Sequence, residues 1–287
     1  MSDDLILLGH DVPAASRRVR PLLRESRTFA VITLVVVIVV LWESAKLLFH
    51  LPDRKLPHIG SILLEFGTRT QGGSGPYWGV LMLNNAAATL GEALTGFVLG
   101  GVLGCLLAVV FTASPLLERG LLPYVVGSQL VPILAIAPMV VIGMGHLGAP
   151  DWLSKAIIAA YLTFFPVTIG MLRGLRSAPP DSLPLMHSYA ASSSQIFWKL
   201  RLPASLPYLF TALKIAATAS IIGSIIGELP VGAARGIGVV VVNAAQYYNS
   251  RPQNLWAAVL VASLLGLCFY GAVVLAERLI VGPQAQT

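Results

Sequence analysis

Lysine, histidine, serine and acidic residues carry most protein chemistry, and their spacing here excludes the commonest reactions. A phosphate-binding loop needs Gly-Lys followed by Ser or Thr, so that backbone amides and the lysine cradle the phosphates together. None of the lysines, Lys46, Lys55, Lys155, Lys199 and Lys214, follows a glycine. The histidines, His10, His50, His58, His146 and His187, are scattered, without an H-E-x-x-H pair or a ligand cluster, so no metal site is expected. No G-x-S-x-G elbow is present. Cys105 and Cys268 lie in apolar runs without C-x-x-C spacing and read as packing residues. No catalytic residue is expected.

The remaining candidates are ionisable residues in or beside apolar runs. Lys214 reads as a side chain that snorkels to an aqueous edge, because a lysine at the centre of a bilayer costs roughly 2.5–3.5 kcal/mol. Glu43 and Lys46 are placed to pair on one helix face. Glu92 and Glu228 stand at the outer ends of their runs as structural or gating acids.

The elements that position these residues belong to a membrane. Of 287 residues, 56% are hydrophobic and 11% charged, against roughly 25% charged in soluble domains. Segments long enough to cross the hydrocarbon core are Phe29–Phe49, Leu90–Thr112, Leu122–Met144, Ile157–Met171 (extended to 153–173), Leu209–Ile226 and Leu255–Val274. The fold class is therefore all-α: a polytopic protein of about six transmembrane helices. A basic segment, 1–28, precedes a membrane domain, 29–287. The first run continues past its basic flank with no A-x-A-like cleavage pattern, so it reads as a retained span.

The net charge of +6 is unevenly spread. Arg17, Arg18, Arg20, Arg24 and Arg27 precede the first span, and Arg119, Arg173, Arg176, Lys199, Arg201 and Arg278 fall on the same side. Only Arg54, Lys55, Arg69, Arg235 and Arg251 fall opposite, which places the N-terminus in the cytoplasm. On the outer side, residues 50–89 read as a short helix, a glycine-rich turn and a helix leading into span 2, and 236–248 as interfacial or re-entrant.

Gly96, Gly100 and Gly104 on span 2, and Ala216, Ser220, Gly223 and Gly227 on span 5, mark close helix-packing faces, within one chain or between subunits. Pro132 and Pro138 are expected to kink span 3, and Pro166 span 4. With Ser220 and Glu228, these prolines are the candidates for a translocation path or gate. The long cytoplasmic connection, 173–207, is expected to form one short amphipathic helix. Its stripe is Met186, Tyr189, Ala190, Phe197 and Leu200, with Gln195 on a polar face and Leu202–Pro203 at its end.

That connection resembles the EAA loop, E-A-A-x3-G-x9-I-x-L-P, of binding-protein-dependent ABC importer permeases. Leu200, Leu202 and Pro203 match its close, while Pro184, Leu185 and Met186 stand at the Glu-Ala-Ala positions and Ala190 at the glycine. The resemblance extends to T-L-G-E-A-L-T-G-F from Thr89, P-I-L-A-I-A-P from Pro132, F-F-P from Phe164 and L-K-I-A from Leu213. It is nearest the nitrate, sulfonate, taurine, thiamine-precursor and riboflavin branch. The resemblance implies a bacterial inner-membrane permease, paired with a second copy, that translocates a small solute by alternating access. A coupling helix at 185–200 would dock a separate ATPase, which carries the ATP and magnesium; the permease has no cofactor of its own. An external binding protein would deliver solute near 145–152 and 227–254. The alternatives are an ion-coupled secondary transporter, using Glu92 and Glu228, and a membrane scaffold subunit. Absence of a visible inverted repeat counts against the former.

Overall fold

A computed structural model describes residues 22–230 and 233–282. Most of the basic N-terminal segment therefore lies outside the described residues. Among the described residues there is no β-strand, only an isolated antiparallel bridge between Arg69 and Tyr77. Five helices are long and apolar enough to cross a membrane, and six if one bent pair counts as a single span.

The chain divides into two units, 1–52 and 53–287. In the first, α1 (Leu22–Leu48) is exposed along its apolar length, as suits a helix solvated by lipid. In the second, α2 (Ile59–Glu65) is followed by a turn in which Gly72 and Gly73 take φ of 66° and 107°. Then α3 (Trp78–Ala113) runs for 36 residues, about 54 Å at 1.5 Å per residue. It begins twelve residues before the apolar run predicts, so Glu92 lies well inside the helix instead of at its start.

The third span departs from expectation. It is broken into α4 (Pro115–Ser128) and α5 (Ile133–His146), bent by 95°. Pro132 does not kink a helix but caps the start of α5 in an extended conformation, since it cannot donate to a preceding turn. The Tyr161 hydroxyl donates to the Ser128 carbonyl, satisfying an acceptor that the break releases. Pro138 lies within α5 and Pro166 within α6 (Asp151–Leu175).

The connection 173–207 is also two pieces. Helix α7 (Ser182–Ser188) stops where Ala190 takes φ of 52°, and α8 (Ser193–Ile196) restarts behind a Ser192–Gln195 capping box. A π-helical turn, Phe197–Arg201, then leads into α9 (Leu202–Glu228). Pro203 does not end the pattern: it sits in the first turn of α9, where its missing N–H is tolerated. Beyond α9 come α10 (Ile237–Gln246) and α11 (Pro252–Ile280).

Helix α6 packs between α3 and α9, and the small residues explain how. A β-carbon on Gly100 would lie 2.5 Å from the Ala160 carbonyl oxygen, and one on Gly104 2.7 Å from that of Phe164. On Gly96 it would meet the Ala156 carbonyl at 2.6 Å. From the other side, one on Gly223 would lie 2.6 Å from the Ala159 Cα, and one on Gly227 3.1 Å from the Lys155 Cα. Lipid tails are as apolar as leucine, so this backbone-to-backbone approach, not apolar burial, holds the three helices together. Both stripes are thus used within one chain.

Candidate functional site: a capped short helix, a cleft and an elbow

Short and only partly apolar, α10 needs partners for its orphan N-terminal amides. Three successive ones find side chains from other helices. Gly236 N–H donates to Asn85 Oδ1 (2.8 Å), Ile237 N–H to Thr89 Oγ1 (2.9 Å) and Gly238 N–H to Glu228 Oε2 (2.6 Å). The Thr89 hydroxyl in turn donates to Glu228 Oε1 at 2.6 Å. Asn85 and Thr89, one turn apart, come from α3, and Glu228 is the last residue of α9. A carboxylate at a helix N-terminus is favoured by the helix dipole, and here it replaces water as acceptor. Gly236, at φ 129°, and Gly238 make room for it: a β-carbon on Gly236 would overlap the Glu228 carboxyl, and one on Gly238 would lie 2.7 Å from the Glu228 Cβ.

A second buried charge stands beside this cap. Lys155 Nζ, on the first turn of α6, lies 3.2 Å from Glu92 Oε1 and 2.7 Å from Asp151 Oδ2, and donates to the Arg235 carbonyl at 3.3 Å. The Lys155 and Glu92 side chains are 1% and 6% exposed, so this pair is shielded from water, with Asp151 as the second carboxylate on the lysine. Of the acids expected as gating candidates, Glu228 is engaged at both oxygens, whereas Glu92 is paired through Oε1 and its Oε2 is buried without a hydrogen-bond partner. Glu228 is a helix cap, and Ser220, also a path candidate, is buried in α9 and donates to the Ala217 carbonyl. Lys214 does not snorkel freely but pairs with Glu277 of α11 at 3.0 Å.

Helix α10 forms one wall of a cleft of about 1150 Å³, facing the start of α3 and the start of α11. Asn84, Asn243, Asn254, Arg235 and Tyr247 give it a polar lining. A hollow of about 560 Å³ adjoins it, sharing Ala87, Ala234 and Arg235 and reaching Glu92 and Lys155. The path candidates Pro132, Pro138 and Pro166 line neither. Among the described residues no cluster of three potential metal ligands occurs.

At the opposite end of α9, the elbow around Ala190 redirects the predicted stripe. Phe197 and Leu202 turn inward onto the cluster formed by Ala108, Phe111, Met171 and Leu175. Met186 and Leu200 are half-buried, and Gln195 is spent on its capping box. What faces outward is Leu185, Tyr189 and Trp198, at 56%, 78% and 63% exposure. Beside them Arg176 makes a two-pronged ion pair with Glu118 of α4, at 2.7 and 2.5 Å, which holds the guanidinium charged by raising its proton affinity.

Residues 100–281, covering α3 from its midpoint through the last helix, match the family described as binding-protein-dependent transport system inner membrane component. The chain belongs to this family. The permease is 30% identical over 82% of its length, and 89% of the relative's, to a probable ABC transporter permease of Haemophilus influenzae. It is 31% identical to the formylaminopyrimidine transport permease of Halalkalibacterium halodurans, over 70% of this chain and 77% of that one. With the riboflavin transport permease of Chloroflexus aurantiacus it shares 27% identity over 96% and 97%. A solved amino acid ABC transporter, crystallised with histidines, has the same fold: TM-score 0.59 at 14% identity, covering 71% of this permease and 95% of that chain.

Sequence reasoning singled out Glu92, Glu228 and the glycine stripes but missed Asn85, Thr89 and the Gly236-Ile237-Gly238 motif. Two glycines flanking one residue before an apolar run are the available signal, because a close backbone approach needs them. Of the two acids on Lys155, Asp151 stands four residues earlier on the same helix, whereas Glu92 lies on another helix and could not be paired with it from spacing.

Proposed function

We propose that the permease forms half of an ATP-driven importer. Two copies enclose one path, and each carries a separate cytoplasmic ATPase that holds the ATP and magnesium. An external solute-binding protein delivers solute to the outer cleft. The N-terminus faces the cytoplasm of a bacterial inner membrane, in keeping with the distribution of arginine and lysine. Closure of the ATPases would push on residues 185–200, and through the continuous run from α8 into α9 that push would reach Glu228 and the α10 cap. The family's role and this mechanical continuity are what support the reading; the element would be a two-state one biased by ATP on one side and by loaded binding protein on the other.

The observation that carries it is the exposed pair Leu185 and Tyr189 on a segment outside the candidate spans, where lipid does not explain exposed apolar side chains, with exposed Trp198 near the start of the run into α9. Coupling runs through that face instead of through Phe197, which is already packed inward. Glu228 is engaged by an amide and a hydroxyl and Glu92 Oε1 by Lys155, so that of these two acids only Glu92 Oε2, buried and without a hydrogen-bond partner, is left as material for an ion-coupled mechanism. The test is co-purification: Tyr189→Asp and Trp198→Asp, both on exposed positions, should lower the ATPase recovered with the permease at least tenfold while the permease still elutes as a single species. Wild-type recovery in both variants would place the coupling surface elsewhere.

A further inference from the structure

Helix α3 carries two small-residue faces, and only one of them is used inside this chain. β-Carbons on Gly96, Gly100 and Gly104 would collide with α6, whereas one on Gly91 would meet nothing within 4 Å. Gly91 and Gly100 stand nine residues apart, about 180° around the helix, so the open glycine faces away from the packed ones. Asn84, Ala88, Thr95, Val98 and Val102 follow at helical spacing on the same side as Gly91. From Asn84 to Thr95, about 16 Å, that side presents only small or polar residues, and branched apolar ones begin beyond it.

The hollow of about 560 Å³ in front of this stretch decides what surrounds it. Ala88, Gly91 and Thr95 line one side, and Glu92, Asp151, Lys155 and Arg235 bring charge to it. Gly91, Asp151 and Arg235 are exposed, so the hollow is open to whatever lies against the helix. Hydrocarbon cannot fill it, because lipid offers no partner to carboxylates, an ammonium and a guanidinium. A second copy packed flush on the stripe would bury the Arg235 guanidinium, which has no ion pair among the described residues. Glu92 gives an independent sign of water or solute. Its side chain is 6% exposed and borders the hollow, and its Oε2 has no hydrogen-bond partner. A buried acceptor of this kind calls for a donor, and the hollow is where one can stand.

We infer that the side of α3 from Asn84 to Thr95 is a wall of the translocation path, and that Gly91 and Thr95 set the width of the path there. The hollow shares Ala87, Ala234 and Arg235 with the cleft beside α10, so a polar lining runs without interruption from one to the other. This stretch takes the place of Pro132, Pro138 and Pro166, which line neither space. The inference deepens the importer reading, on which its role in transport rests, while the wet surface follows from the geometry alone.

The test places single cysteines in the full-length permease carrying Cys105→Ala and Cys268→Ala, in lipid nanodiscs, and labels them with a charged, membrane-impermeant thiol reagent. Ala88→Cys, Gly91→Cys and Thr95→Cys should react at least tenfold faster than Leu264→Cys and Leu267→Cys on the exposed apolar side of α11. Equal rates would show that the stripe faces lipid. Protection of all three cysteines together with cross-linked dimers would assign it to a dry interface between copies, and either result overturns the inference. Gly91→Leu adds a side chain where a β-carbon has open space, so the fold should tolerate it. In proteoliposomes with the ATPase and the binding protein, this variant should lower ATP-dependent uptake at least tenfold while the ATPase still co-purifies at wild-type yield. Wild-type uptake in Gly91→Leu would overturn the inference as well. Fast labelling at the three positions in a permease without ATP-dependent uptake would instead remove the importer reading and leave the water-lined face standing.

Discussion

The glutamates that look like gating acids are occupied one by one, and the occupancy can be measured. Lys155 and Glu92 are a buried pair, so Lys155→Met should cost about 3–5 kcal/mol by leaving a carboxylate unpaired, whereas the double variant Lys155→Met with Glu92→Gln should recover much of that loss. Thermal unfolding of the detergent-solubilised permease, followed by loss of the monodisperse peak, checks both; additive losses would show that the two residues do not depend on each other. Gly236→Ala should be among the most damaging single changes at the outer face, because φ of 129° is unfavourable for alanine and the added carbon overlaps the Glu228 carboxyl. Wild-type stability in that variant would mean that the cap is formed differently.

At the scale of elements, α10 depends on α3 and α9 for its first turn. Thr89→Val keeps the shape of residue 89 but leaves Ile237 N–H without its acceptor and Glu228 Oε1 without its donor, and should destabilise by roughly 1–3 kcal/mol. Faster hydrogen exchange confined to 236–240 is the expected signature, and unchanged exchange there would contradict the cap. At the other end, Ala190 occupies the left-handed position that closes α7, the position where the EAA pattern carries glycine. Ala190→Gly should therefore raise stability by about 1 kcal/mol; a loss in the same unfolding assay would show that the alanine side chain makes a contact worth more than its strain. The apolar lengths of α1, α3, α6, α9 and α11 were legible in the sequence because each is a long run without interruption. The break between α4 and α5 was not, since Ser128 and Gln129 interrupt the apolar run only briefly and Pro132 reads as a kink within one helix. The elbow at Ala190 was hidden for a different reason: alanine is a strong helix former, and periodicity drew one helix through it. The cap of α10 was illegible because its acceptors lie up to 151 positions away in the chain.

For the whole molecule, the scarcity of charge has a definite meaning. Most ionisable groups inside the helices that pack together are paired with each other or with an α10 amide, Glu92 Oε2 being the exception, which leaves little material for an ion relay and, in the importer reading, places the energy source on a partner. The same run, from α8 through the π-helical turn into α9, carries exposed Trp198 at one end, next after Tyr189 at the close of α7, and the α10 cap at Glu228 at the other. The most direct measurement of this account is uptake into proteoliposomes containing the full-length permease, its ATPase and the external binding protein. Uptake is predicted to require ATP, to persist when the proton gradient is collapsed, and to be lost in Tyr189→Asp. Uptake driven by a proton gradient without ATP would contradict it.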